Sequence, residues 1–199
     1  MLNIRSLDAL VPSNSTLFNF GISRADFFAH HFEKAPYLAR TAISQEVISL
    51  VDMERLIASW DPTDPRLRIF RNGLVPPSEY IGLIDDVDGP RAHLIPDKFQ
   101  SLLSTSATLV LDRIDAKLPM ARQLCKQLGE FTQEATAANA YLAFGGCGIF
   151  GKHWDTHDVV AIQLLGAQTM AGISTDTSPS SSRPNKQEPQ GGLPRGTAV

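Results

Sequence analysis

The sequence predicts an α+β fold, in which an N-terminal helical and mixed region leads into an antiparallel jelly roll. Helical and extended segments follow one another without the regular strand–helix alternation of a parallel sheet. With 199 residues, of which 43% are hydrophobic and 20% charged, the chain can bury one sizeable core. We expect residues 1–105 to form the N-terminal portion of a single domain and residues 106–167 the first part of the jelly roll.

Two helices are predicted in the N-terminal region. Ser23 can cap a helix that runs from about Arg24, and Pro36 is expected to end it because proline cannot continue the helical hydrogen bonding. Ser44 is expected to begin a second, amphipathic helix whose apolar residues recur at helical spacing. The proline-containing run at residues 61–65 then ends this helix.

The next segments predict strands, a connector and a third helix. Residues 66–71 alternate polar and apolar side chains, which indicates a strand with its arginines on one face. That face could meet solvent or a substrate, and we expect solvent. Residues 74–96 contain several prolines and an acidic cluster, which is typical of a solvated connector. Residues 107–111 predict a buried strand. A helix then begins near Pro119, with a core-facing apolar stripe from Met120 to Phe131.

A histidine and an aspartate in the run 152–158, Lys-His-Trp-Asp-Thr-His-Asp, are candidate metal ligands. In an extended strand, His153 and Asp155 point to the same face. One imidazole and one carboxylate supply two of the three ligands of the 2-His-1-carboxylate triad of non-haem iron oxygenases. A strand can also carry such a pair only for solubility, so the neighbouring segments and the third ligand decide the interpretation.

Three neighbouring segments resemble the metal-binding core of the cupin-like JmjC oxygenases. They are the strand at 139–144, the glycine-rich run Gly-Gly-Cys-Gly at 145–148, and the exit Gln-Leu-Leu-Gly at 163–166. More narrowly they resemble the ribosomal oxygenase branch, whose opening motif is similar to residues 31–38. The resemblance implies a double-stranded β-helix, incomplete in this chain, and a protein hydroxylase that uses Fe(II) with 2-oxoglutarate as co-substrate.

The same resemblance implies roles for four residues. His153 and Asp155 would bind iron, and Asn139 and Tyr141 match the family's Asn-x-Tyr, which lines the 2-oxoglutarate pocket. Residues 139 and 141 have the same strand parity, so both side chains are expected on one face of the strand. No further catalytic residue is implied beyond this metal site.

The resemblance also implies a protein substrate, either ribosomal or histone-like, and a homodimer. A formal net charge of −3 gives no electrostatic case for direct binding of nucleic acid.

No stretch reaches the roughly 18 apolar residues of a membrane span. Two cysteines and a start without a secretory signal predict a cytoplasmic protein.

The sequence departs from the family pattern after Ala167. The family continues its exit strand as Gly-x-Lys-x-Trp-x-Val, where the lysine pairs with the 5-carboxylate of 2-oxoglutarate, and supplies a distal histidine later. Here Gly166 is followed by Ala-Gln-Thr-Met-Ala-Gly, and no histidine occurs after His157. Because both the lysine and the third metal ligand are missing, we expect the hydroxylase to be inactive as written.

The genetic code suggests a cause for this departure. Residues 168–173, Gln-Thr-Met-Ala-Gly-Ile, are encoded as CAR-ACN-ATG-GCN-GGN-ATH. Dropping the first nucleotide gives ARA-CNA-TGG-CNG-GNA, which accommodates the family phrase Lys-Arg-Trp-Arg-Val at every position. Residues 168–199 also contain four prolines and no aromatic side chain, a disordered composition. We therefore expect residues 168–199 to be an out-of-frame tail.

Two other functions are compatible with the sequence. The chain could be a non-catalytic, cupin-like module that binds a protein partner through its N-terminal portion and the arginine-bearing strand. It could instead be a cupin enzyme with another metal, whose third ligand is His30, His31 or His93.

Overall fold

The structure is a computed structural model that describes residues 16–40, 42–43, 47–144 and 157–167. Its helices are α1 (Arg24–His30), α2 (Leu50–Ala58), α3 (Pro96–Ser104) and α4 (Pro119–Thr132). Its strands are β1 (Leu67–Phe70), β2 (Ile81–Asp86), β3 (Gly89–Leu94), β4 (Thr108–Leu111) and β5 (Ala140–Ala143). Short 3-10 turns lie at Pro77–Glu79 and Ile114–Ala116. All strand pairs are antiparallel, so the predicted α+β class is confirmed.

The central sheet has the strand order β1-β4-β5. Leu109 and Leu111 of β4 belong to the same buried cluster as Leu56 of α2 and Leu124 of α4. Successive side chains of a strand point to opposite faces, so Val110 lies on the other face of the sheet. The helices therefore cover one face of the sheet, and the opposite face is left for the polar side chains described below.

The predicted cap of α1 is confirmed, but the helix ends earlier than expected. The Ser23 hydroxyl accepts the Asp26 N–H at 3.0 Å, which fixes the first turn. The last helical residue is His30. The Lys34 ammonium donates to the carbonyls of Phe28 and Ala29, both at 2.9 Å. The helix thus ends before Pro36, because a lysine satisfies the last carbonyls of α1.

The second helix begins later than predicted. The Ser49 hydroxyl accepts the Asp52 N–H at 3.2 Å, and the Asp52 carboxylate accepts the Ser49 N–H at 2.9 Å. This reciprocal capping box sets the start at Leu50. The predicted start, Ser44, lies outside the described residues, and Val47 and Ile48 are buried without being helical. Both side chains belong to the main hydrophobic core. The apolar spacing therefore predicted their burial correctly but not their backbone conformation.

The prediction of a connector at residues 74–96 is wrong, because this segment contains the hairpin β2–β3. The two strands pair from Ile81 opposite Leu94 to Asp86 opposite Gly89. Gly89 has a φ of +109°, a left-handed conformation that suits glycine at the turn. Of the prolines that suggested a connector, Pro90 alone lies within a strand, and a two-stranded sheet tolerates it because each strand is an edge.

Three further predicted elements are confirmed within a residue or two, whereas the described residues 157–167, expected to be extended, contain no strand. The strand at 66–71 is β1, the buried strand at 107–111 is β4, and the helix near Pro119 is α4. Within the described part of the chain, no helix has the length and apolar character needed to cross a membrane.

Candidate functional site

The face of the central sheet away from the helices carries one aligned row of side chains. Arg68 of β1 is opposite Val110 of β4, and Val110 is opposite Tyr141 of β5. Residues directly opposite each other in antiparallel strands point to the same face. Val110 is fully buried, whereas Tyr141 at the edge of the row is 49% exposed. The predicted pocket residue Tyr141 therefore lies on the sheet face opposite the helices.

Arg68 is paired with a carboxylate and does not face solvent, which corrects the prediction for this arginine. Its Nη2 donates to Oδ2 of Asp112, the residue directly after β4, and both side chains are largely buried. The Phe70 ring centroid lies 5.8 Å from the guanidinium carbon. Burial raises the pKa of Asp112, and this effect outweighs the opposing attraction of Arg68. The attraction to Arg68 therefore does not fully offset the cost of removing the Asp112 carboxylate from water.

The guanidinium of Arg68 also keeps one unused donor. Its Nε–H is buried and has no hydrogen-bond partner in the part of the chain that the structure describes. A guanidinium presents five N–H donors, so a pair with one carboxylate leaves capacity for a second acceptor. The sheet face thus offers a buried cation in the same row as Tyr141.

Asn139 lies just before β5, and its side chain fixes the corner between β4 and β5. Its Oδ1 accepts the backbone N–H of Arg113 at 3.0 Å. Arg113 has a φ of 57°, a left-handed conformation that is unfavourable for a residue with a side chain. The amide group of Asn139 therefore stabilises a strained turn. Its predicted role in a 2-oxoglutarate pocket stays a prediction.

Asp115 completes this corner. Its carboxylate accepts from Nη2 of Arg113 at 3.0 Å and from the Ala138 N–H at 3.1 Å. Burial by itself raises the pKa of Asp115, but the hydrogen bonds from Arg113 and Ala138 outweigh it and hold the pKa below its usual 3.8. The carboxylate thereby ties the turn after β4 to the residue that leads into β5.

The predicted metal ligands His153 and Asp155 lie outside the described residues. Within the described ranges, no group of three or more histidine, cysteine, aspartate or glutamate side chains could hold a metal ion. His30, His31 and His93 are all described, so these three histidines do not form a metal site among themselves. A site that includes residues 153 and 155 stays a prediction.

The sequence reasoning missed Asp112 and Asp115. The sequence contained a signal for Asp112, because this residue directly follows the apolar run Leu-Val-Leu of a strand predicted to be buried. A charged residue at such a position is expected to find a partner. The partner is Arg68, whose identity requires the pairing of β1 with β4.

Residues 113–191 match the JmjC domain. This range covers about two fifths of the chain and includes Asn139, Tyr141, His153 and Asp155. It also extends beyond Ala167, into the segment that the codon argument predicts to be out of frame. No match was found among curated proteins or among solved structures. The chain thus contains a JmjC-like segment that begins at the strained turn after β4 and includes β5.

Proposed function

We propose that this chain derives from an Fe(II)- and 2-oxoglutarate-dependent protein hydroxylase of the ribosomal oxygenase branch, and that the present sequence does not sustain turnover. The supporting observation is the JmjC match at residues 113–191, which includes both the His153-x-Asp155 pair and the Asn139-x-Tyr141 pair. JmjC proteins generally use Fe(II) and 2-oxoglutarate. The substrate would be a ribosomal or histone-like protein, and the active form a homodimer.

The two faces of the central sheet differ in a way that supports this proposal. Helices α2 and α4 pack on one face, so the cofactor pocket would lie on the other face, which carries Arg68 and Tyr141. In the proposed jelly roll, a second sheet would cover this face. The Tyr141 hydroxyl can donate a hydrogen bond to a carboxylate of 2-oxoglutarate. Asn139 would hold the start of β5 in position through its bond to Arg113.

The metal would be held by His153 and Asp155, which follow β5 in the chain. When bound, Fe(II) supplies the oxygen chemistry, and the protein supplies binding and orientation. Two ligands hold a metal less well than three, so we expect weak binding. The absence of the family lysine leaves the 5-carboxylate of 2-oxoglutarate without its usual partner, and an unpaired buried charge costs on the order of 3–5 kcal/mol.

Metal titration of the purified chain tests the proposed site. Co(II), a spectroscopic substitute for Fe(II), should give a weak absorbance change that Asp155→Ala abolishes. Asp97→Ala, which removes an exposed carboxylate in α3, is the matched control and should bind like the parent. Equal binding by the Asp155→Ala variant and the parent would contradict the metal assignment.

Turnover is a separate measurement. With Fe(II) and 2-oxoglutarate, we expect no succinate above the level produced by the Asp155→Ala variant. Succinate release that depends on Asp155 would show that the chain is an active enzyme and would refute the proposed inactivity.

The second candidate is a non-catalytic, cupin-like module that binds a protein. It is favoured by the strongly exposed apolar side chains at the end of the hairpin β2–β3. This function predicts that the thermal midpoint of unfolding does not change when Fe(II) and 2-oxoglutarate are added. A metal- and 2-oxoglutarate-dependent rise in that midpoint would favour the first candidate.

A further inference from the structure

The end of the hairpin β2–β3 exposes three large apolar side chains. Leu83 is 74% exposed, Ile84 is 54% exposed and Val87 is 99% exposed. Leu83 and Ile84 are consecutive, so they point to opposite faces of β2. An exposed strand normally alternates apolar and polar residues, so that one face can meet water. The hairpin instead presents apolar surface on both faces and at its turn, which is typical of an interaction site.

Carboxylates surround these apolar groups. Asp85, Asp86 and Asp88 are all exposed, and Arg91 neutralises one of them by pairing with Asp86 at 2.9 Å. Asp85 and Asp88 have no ion pair within the described ranges. We call Leu83, Ile84, Asp85, Val87 and Asp88 the hairpin tip. Its surface is both apolar and negatively charged.

The base of the hairpin is fixed to the rest of the domain. Ile81 and Leu94, opposite each other at the first register position, pack against the main core. The Ile95 N–H donates to the carbonyl of the fully buried Tyr80 at 2.8 Å. A hairpin anchored in this way holds its tip in a defined position, which reduces the entropy lost on binding.

We propose that the hairpin tip is a docking surface for an extended, basic polypeptide segment in which every second residue is in turn apolar and basic, because Leu83 and Asp85 lie on the same face of β2. The basic groups would face Asp85 and Asp88, and the apolar groups would cover Leu83 and Val87. Within the described ranges, the outer edge of β2 has no paired strand, so the segment's backbone could add to it. The surface goes beyond the proposed hydroxylase function, since it requires neither metal nor 2-oxoglutarate.

A second copy of the chain is the main alternative occupant, and the charges of the tip disfavour it. Two tips placed together would bring Asp85 and Asp88 of one copy close to the same residues of the other. Like charges at a contact oppose association. A basic segment has the opposite charge and complements the tip.

Fluorescence anisotropy with the full chain and a labelled peptide of the repeat Val-Ser-Lys-Ser, which places valine and lysine in turn on one face, tests this surface. The parent should bind the peptide in a salt-dependent manner. The double variant Asp85→Lys/Asp88→Lys should weaken binding by about tenfold, because two attractions become repulsions. Leu83→Ser/Val87→Ser should also weaken binding severalfold while leaving the thermal midpoint almost unchanged, since both side chains are exposed.

Glu54→Lys/Glu134→Lys is the matched control, because it reverses two exposed carboxylates elsewhere and changes the net charge equally. We expect it to bind the peptide within about twofold of the parent. No binding by the parent would overturn the proposal, and so would equal losses in the control and in Asp85→Lys/Asp88→Lys. Self-association that Leu83→Ser/Val87→Ser abolishes in sedimentation would also overturn it and assign the tip to a second copy. Because the assay contains no iron or 2-oxoglutarate, its failure is distinct from failure of the hydroxylase proposal.

Discussion

The guanidinium of Arg68 donates to the carboxylate of Asp112 across two neighbouring strands, on the sheet face that the helices do not cover. Both side chains are largely buried, and the raised pKa of Asp112 reflects the loss of water around its carboxylate. The pair therefore lies on the same sheet face as Tyr141, with Val110 of the middle strand between Arg68 and Tyr141. Its charges bear on stability as well as on any ligand that binds there.

Replacing Arg68 with methionine should destabilise the fold by about 3 kcal/mol, because it leaves the Asp112 carboxylate buried without a counter-charge. Urea unfolding at pH 7 measures this. The double variant Arg68→Met/Asp112→Leu should be closer to the parent than Arg68→Met is, since no unpaired charge remains. If the losses of stability in Arg68→Met and in Asp112→Leu add up to that of the double variant, the pair does not act as a unit.

The pH dependence of Arg68→Met should identify Asp112 as the affected group. A carboxyl whose pKa is higher in the folded than in the unfolded protein takes up a proton more readily when folded. Stability attributable to this group then rises as the pH falls through the folded-state pKa. We expect Arg68→Met to regain part of its lost stability as the pH is lowered from 7 towards 3.8, the ordinary pKa of an aspartate carboxyl, in unfolding curves measured across that range. A constant deficit would argue against this assignment.

Asp115→Asn should show the opposite dependence on pH. The lowered pKa of Asp115 means that its carboxylate stabilises the fold above pH 3.8, and this contribution is lost as the pH falls through its folded-state pKa. The variant should be less stable than the parent by about 1–2 kcal/mol at pH 7, because a charge-assisted bond to Arg113 is weakened. The difference should shrink below pH 3.8. Chemical unfolding at pH 7 and pH 3 measures it.

Asn139→Ala and Tyr141→Ala should separate structural from ligand-binding roles. Asn139→Ala removes the acceptor of the strained Arg113 N–H and should cost about 1–2 kcal/mol. Tyr141 is half exposed, so its replacement should cost less, about 1 kcal/mol or under. If Tyr141 lines the proposed pocket, its replacement should abolish any rise in thermal midpoint caused by 2-oxoglutarate with Fe(II). An unchanged rise in Tyr141→Ala would remove this residue from the pocket.

Cys125 should be unreactive in the folded protein. Burial in α4 raises the pKa of its thiol to about 11, so little reactive thiolate exists at pH 8. In a Cys147→Ser background, a thiol reagent should modify Cys125 only at the rate of unfolding, and urea should accelerate the reaction. Rapid modification of the native protein at pH 8 would contradict the burial of this side chain.

The nucleotide sequence that encodes residues 168–173 tests the proposed reading-frame change. We expect the shifted frame to encode a strand-like continuation with Trp at its third codon and a histidine further downstream. A shifted frame without such a continuation would refute the explanation. The metal and peptide-binding tests do not depend on this result.

The two sheets show how far local sequence patterns reach. The strand at 107–111 could be predicted because its run of apolar residues indicates a buried strand without reference to any other segment. Strand β1 could be predicted because its polar and apolar residues alternate regularly. The hairpin β2–β3 was missed because its tip breaks the alternation: Leu83 and Ile84 are adjacent and both exposed. Apolar residues exposed on both faces of a strand do not give the alternation of a half-buried strand.

By itself, the sequence determined the α+β class, the capped start of α1, the buried strand β4, and the pattern that resembles JmjC oxygenases. Each depends on residues close together in the chain, where caps, turns and periodicity act. The tertiary structure alone decided that Arg68 pairs with Asp112, 44 residues away, and that Asn139 supports Arg113, 26 residues away. Such contacts exist only after strands β1, β4 and β5 have come together, because the register of the sheet determines which distant side chains share a face.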